Sequence, residues 1–140
     1  MRYTNERLTQ IFDKTSSKCH ICCGKLAFCN YGLYGERGAW EVEHSIPRAL
    51  GGTEHLNNLY AAHIYCNRNK CTNSTRSCRA QYGRSRAPLS ATRRKQRKSD
   101  NAVGGGLIGA AIGGALGGPW GAAIGASLGA KLQYDLDPDW

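Results

Sequence analysis

Seven cysteines and four histidines stand in this 140-residue chain, and four of them fall at metal-ligand spacing. Cys19-His20-Ile21-Cys22 has the two-residue gap of a metal knuckle. His63-Ile64-Tyr65-Cys66 repeats the gap, 41 residues after Cys22. Thiolate and imidazole at this spacing suit a tetrahedral structural Zn²⁺, so Cys19, Cys22, His63 and Cys66 are the predicted ligands. Cys23 rivals Cys22, because His20-x-x-Cys23 has the same gap. Cys29, Cys71 and Cys78 have no assigned partner, and an odd total leaves one thiol over from any complete disulfide framework.

A second constellation runs between and into the knuckles: Glu41-Val42-Glu43-His44-Ser45-Ile46-Pro47-Arg48, then Gly51-Gly52, Asn58-Leu59 and Cys66-Asn67-Arg68-Asn69-Lys70. His44 lies 14 residues before Asn58, Asn58 nine before Asn67, and Asn67 three before Lys70. In order and spacing these residues resemble the HNH endonuclease family over about residues 19–72. The knuckles are similar to those of zinc-stapled HNH enzymes of bacteria and phages.

The resemblance implies an α+β fold: a small ββα-metal (His-Me finger) domain with structural zinc. It also implies metal-dependent hydrolysis of DNA phosphodiester bonds that leaves a 5′-phosphate. Such hydrolysis needs a water deprotonated near neutral pH and a cation on the scissile phosphate. Histidine titrates in the right range for the first task, and hard oxygen ligands hold Mg²⁺ or Mn²⁺ for the second. By resemblance His44 is the general base, Glu43 and Asn67 are ligands of the catalytic Mg²⁺ or Mn²⁺, and Asn58 orients the loop. Three positions depart from the usual pattern. Glu43 stands where most relatives carry Asp, Asn67 where many carry His, and His63 where Cys is usual.

Several elements must position these groups. Thr4 or Asn5 can cap a helix towards Lys14, with Leu8, Ile11 and Phe12 on one face. Trp40 to His44 alternates apolar and charged residues and reads as a strand. Pro47 and Gly51-Gly52 make 45–57 a loop. Leu59 to Ala62 reads as the second strand, and His63 onward as a turn into a helix that fades near Asn73-Ser74.

Charge is partitioned along the chain. Residues 1–100 hold 18 of 19 basic and seven of ten acidic residues, a net of +11, while residues 101–140 carry a net of −2. Between His55 and Ser99 there is no carboxylate against eleven Lys or Arg. A polyanion is the natural counterpart, nucleic acid or an anionic membrane surface. Arg48, Arg68, Lys70 and Arg76 are the predicted DNA contacts. Nothing resembles a base-reading element, so little sequence preference is expected.

Beyond residue 100, Gly105, Gly109, Gly113, Gly117, Gly121, Gly125 and Gly129 form an unbroken period of four, with no charge from Ala102 to Ala130. The stretch resembles glycine-zipper segments of bacterial membrane-associated proteins. Either Gly117-Gly118-Pro119 turns between two short helices, or one Pro-kinked helix spans a bilayer. A soluble self-associating hairpin is a third form.

The predicted organisation is an N-terminal helix (1–18), an HNH domain (19–80), a basic linker (81–100), a glycine-zipper segment (101–132) and an acidic tail (133–140). No typical secretory signal opens the chain, so a cytoplasmic protein attached to the inner membrane is expected. Two host roles suit such a nuclease, defence against phage DNA or an antibacterial toxin with an immunity partner. Two rival functions remain. One is a zinc-stabilised DNA-binding module that does not cut, and the other is a membrane-active protein acting through its tail.

Overall fold

A computed structural model describes residues 3–135; Asp137 and Asp139 of the acidic tail lie outside the described residues. The described residues divide into two compact units, 3–91 and 92–135.

The first unit opens with α1 (Asn5–Asp13). Thr4 is its N-cap, its hydroxyl accepting from the Arg7 amide, and Leu8, Ile11 and Phe12 face inward. The Thr side chain thus satisfies one amide that the first helical turn leaves without a partner. Lys14 then pins the end of α1 to the loop before the second strand. Its ammonium donates to the carbonyls of Leu56 and Leu59 and lies over the Tyr60 ring.

β1 (Trp40–His44) and β2 (Leu59–His63) form a two-stranded antiparallel sheet in which Trp40 faces His63 and His44 faces Leu59. Trp40 is the anchor of the core, packed against Phe12 and Tyr31, with its indole N–H donated to the Phe28 carbonyl. Helix α2 (Ile64–Lys70) follows β2 directly and ends at Cys71, whose φ of 50° breaks it. Strand, strand and helix are therefore contiguous around the expected catalytic residues.

The helical reading past Lys70 needs correction. A separate helix, α3 (Thr75–Gln81), starts there, capped by the Ser74 hydroxyl on the Ser77 amide. Ser74 is thus a start signal, not the fading end of α2. Thr75, Cys78 and Arg79 of α3 are buried, which fastens the helix to the sheet unit.

The second unit is a long helix, α4 (Ala91–Asp135), broken at Gly117 and Gly118. It begins inside the stretch read as a basic linker. Gly118 takes φ +60°, ψ −152°, which only glycine adopts without strain. The chain folds back there: a Cβ at Gly105, Gly109 or Gly113 would overlap the carbonyl oxygen of Gly129, Gly125 or Gly121, respectively. The two arms, residues 91–116 and 119–135, therefore pack antiparallel, backbone to backbone.

Candidate active site and metal centre

Two knuckles converge on one point. One ligand atom each from Cys19, Cys22, His63 and Cys66 lies within 4.8 Å of the others. That crowding fits a single tetrahedral Zn²⁺, whose bonds to sulfur and nitrogen run about 2.0–2.3 Å. His63 presents Nδ1, 3.3 Å from the Cys22 sulfur, while its Nε2 is held by the Lys25 carbonyl. That second bond fixes the ring's tautomer and orientation. Amides of Gly24 and His63 point at the sulfurs of Cys22 and Cys19. Gly24 has no room for a side chain, since a Cβ there would lie 2.9 Å from the His63 ring.

The thiols interact strongly. Hydrogen bonding with Cys19 and Cys66 drives the Cys22 thiol far down, and hydrogen bonds to Cys22 and Cys66 push His63 up to about 10. Cys23 is buried outside the cluster, and Cys22 lies within it. Cys29, Cys71 and Cys78 are free thiols away from it.

His44 ends β1 on the wall of a cleft of about 260 Å³ lined also by Pro47, Arg48, Asn67, Arg68, Lys70 and Cys71. Asn67 comes from α2 and gives its amide N–H to Glu41 at 2.8 Å, leaving its carbonyl oxygen as the donor atom suited to a hard cation. Asn58 is buried and bridges the intervening loop. It accepts from the Ile46 amide at 2.7 Å and donates to the Ile46 and Thr53 carbonyls. The loop also depends on Gly52, where a Cβ would collide with the Ile46 carbonyl.

Glu43 is not on this cleft. Its carboxylate is fully buried beneath it, bonded to His20 Nδ1 at 2.8 Å and the Thr75 hydroxyl at 2.7 Å, with Lys70 Nζ at 3.3 Å. Burial pushes the carboxyl up, but the hydrogen bond and charge of His20, with Thr75 and Lys70, outweigh it and hold it below the ordinary range. His20, Thr75 and Lys70, from three other segments, hold it there.

Lys70 also departs from expectation. It is 2% exposed, and its ammonium bonds the His44 carbonyl at 2.9 Å. It holds the site from within, its ammonium spent on β1 instead of on solvent. Arg48, Arg68 and Arg76 are exposed.

Three partners escaped the sequence. Glu54, in the loop after Gly52, bonds His44 Nε2 at 2.9 Å and accepts from Tyr3 at 2.7 Å, with Arg48 Nε at 3.6 Å. The hydrogen bond from Tyr3, then that from His44, keeps its carboxyl low. An ionised Glu54 only accepts, so Nε2 of a neutral His44 carries the proton and the basic lone pair sits on Nδ1. His20 stacks on Tyr60, their centroids 3.8 Å apart, and supports Glu43. Arg79 donates to the His20 carbonyl across 59 residues of chain. The charge run that contains Arg79 gave no hint of its burial, and no spacing rule singles out Glu54.

Residues 19–72 match the HNH endonuclease family. No curated protein and no solved structure matches the chain.

Proposed function

We propose that the HNH domain at residues 19–72 is a metal-dependent endonuclease that hydrolyses DNA with little sequence preference. The observation that carries this reading is the cleft in which His44, Asn67, Arg48 and Arg68 meet on the strand–helix corner. A base, a hard oxygen donor and two guanidinium groups on one wall suit a phosphodiester.

In this reading His44 takes the proton of the attacking water on Nδ1, and Glu54 fixes the ring and stabilises the imidazolium that forms. Arg48 and Arg68 hold the flanking phosphates. A bound Mg²⁺ or Mn²⁺ would neutralise the charge that develops on the scissile phosphate and the leaving oxygen. Asn67 fits such a cation as it stands. Glu43 fits only if Thr75 and Lys70 release its carboxylate, so no step is assigned to it. Zn²⁺ at Cys19, Cys22, His63 and Cys66 is structural: it ties the first knuckle to the start of α2.

The alternative of a DNA clamp that does not cut lacks a reason for His44 and Asn67 to line one cleft. Attachment to a membrane through a glycine-zipper tail, with a role in phage defence or as a toxin held by an immunity protein, completes the proposal.

Supercoiled plasmid with Mg²⁺, Mn²⁺ or Ni²⁺, beside His44→Ala, tests it. Nicking by the native chain with a loss of ~10²–10⁴-fold in the variant is expected. Inactivity in all three metals, or equal activity of the two proteins, overturns the enzyme assignment. DNA retention at low salt without nicking would select the clamp.

A further inference from the structure

The closed arms of α4 set Gly105, Gly109 and Gly113 against Gly129, Gly125 and Gly121 and turn their large apolar side chains outward. Val103, Leu107, Ile112, Leu116, Ile124 and Leu128 are all at least 59% exposed, and Trp120 beside the turn is 82% exposed. An outward surface of this kind has no stable place in water, because nothing within the unit covers it. Within residues 91–135, charge is confined to the open end: Arg93, Arg94, Lys95, Arg97, Lys98 and Asp100 on the first arm, Lys131 and Asp135 on the second. Lys98 lies over the Tyr134 ring, 5.5 Å from its centroid, which joins the two arms at that end.

We infer that this hairpin enters an anionic lipid bilayer from one side, so that the chain before it and Asp135 after it emerge on the same face. Three observations select lipid over a second copy of the chain. The apolar residues surround both arms instead of forming one seam, and a helix that is apolar all round suits lipid. The basic run matches acidic headgroups where the arms enter. From Ala102 to the turn is about 15 residues, or ~22 Å at 1.5 Å per residue, deep enough to enter the bilayer but short of the ~30 Å hydrocarbon core. The second arm is shorter, and snorkelling of Lys131 takes up the difference.

Local thinning of the bilayer over arms this short brings the far headgroup layer to the turn. Gly117 and Gly118 leave the helical ladder there, and their backbone groups need water. Trp120 stands at the level that tryptophan favours. A single straight span is incompatible with the backbone contacts between Gly109 and Gly125 and between Gly113 and Gly121. The inference does not depend on the nuclease reading, and its test does not use cleavage.

The full chain, extended after Trp140 by an epitope, is added to vesicles of 3:1 phosphatidylcholine and phosphatidylglycerol. The protein should pellet with them and resist extraction by 1 M salt. Protease outside the vesicles should remove both the epitope and the N-terminal unit, leaving a protected fragment that contains Trp120. Ile112→Lys with Ile124→Lys should lower the pelleted fraction at least ~10-fold. Gly109→Val with Gly125→Val forces the arms apart, so the epitope should lose its shared accessibility with the N-terminal unit.

A protected epitope in the native chain overturns the hairpin topology. Full release by salt reduces the contact to surface binding and overturns insertion. A chain that stays in the supernatant as a dimer overturns lipid as the partner. Unchanged topology in the double-valine variant overturns glycine packing as its cause.

Discussion

At the scale of single residues the site depends on two carboxylates with opposite surroundings. Glu54 is partly exposed and bridges Tyr3 to His44, while Glu43 is fully enclosed by His20, Thr75 and Lys70. Glu54→Gln keeps the shape but lets the side-chain amide present a donor to His44. The nicking rate should fall about 10-fold at saturating DNA with KM little changed, by analogy with other groups that orient a functional histidine. Steady-state kinetics on plasmid checks this. Because the Glu54 carboxyl is held low in the folded chain, its contribution to stability is present above the ordinary carboxyl range. It is lost as pH falls through the lowered value. Urea midpoints of the native chain and Glu54→Gln should differ at pH 7 and converge in acid, well below pH ~4.3. Lys70→Met tests the buried pair. It leaves Glu43 without its cation and should cost ~3–5 kcal/mol of stability, read by urea unfolding. A small cost would mean that the Glu43 carboxylate is free to move.

Elements hold these residues with few of their own resources. β1 and β2 are five residues each and α2 is seven, too short for independent stability in water. A metal clip from Cys19 and Cys22 to His63 and Cys66 joins the first knuckle to the end of β2 and the start of α2. Structural zinc contributes ~10–16 kcal/mol in small domains, as much as the whole stability of an ordinary one. Prolonged chelation, or Cys66→Ser, should therefore unfold residues 5–81 and not merely slow them. Loss of near-ultraviolet circular dichroism from Trp40 would report it. Retention of that signal without zinc would show that the core suffices. Cys23→Ser should leave zinc content at one per chain, because that thiol lies outside the cluster. Helix α3 was illegible for a specific reason. Its sequence, Thr75-Arg76-Ser77-Cys78-Arg79-Ala80-Gln81, has no apolar stripe, and Cys78 is the one apolar residue on an inward face otherwise polar. Thr75 and Arg79 are buried by bonding to Glu43 and to His20, partners that no local pattern announces.

For the whole molecule, the compositional break near residue 100 corresponds to two units, with the boundary at residue 92. Helix continues from the basic run into the glycine repeat because Arg, Lys and Gln are good helix formers. Arg76 is exposed on the first unit. If it contacts phosphate, Arg76→Ala should weaken binding to every duplex alike and flatten the salt dependence by ~0.9 in log–log slope. Fluorescence anisotropy over a range of salt measures it, and an unchanged slope removes Arg76 from the interface. What the sequence determined by itself was chemistry that depends on residue type at fixed spacing: the two metal knuckles, the strand ending in His44, and the glycine period. These survive because a two-residue knuckle gap, strand alternation and a four-residue repeat are properties of local backbone geometry. Only the tertiary structure decided which carboxylate meets His44, that Glu43 and Lys70 turn inward, that Cys22 and not Cys23 joins the cluster, and that the glycines close a hairpin. Each of those depends on contacts between segments distant in the chain. Burial and partner choice are settled there by what the opposing segment offers, which no local pattern encodes.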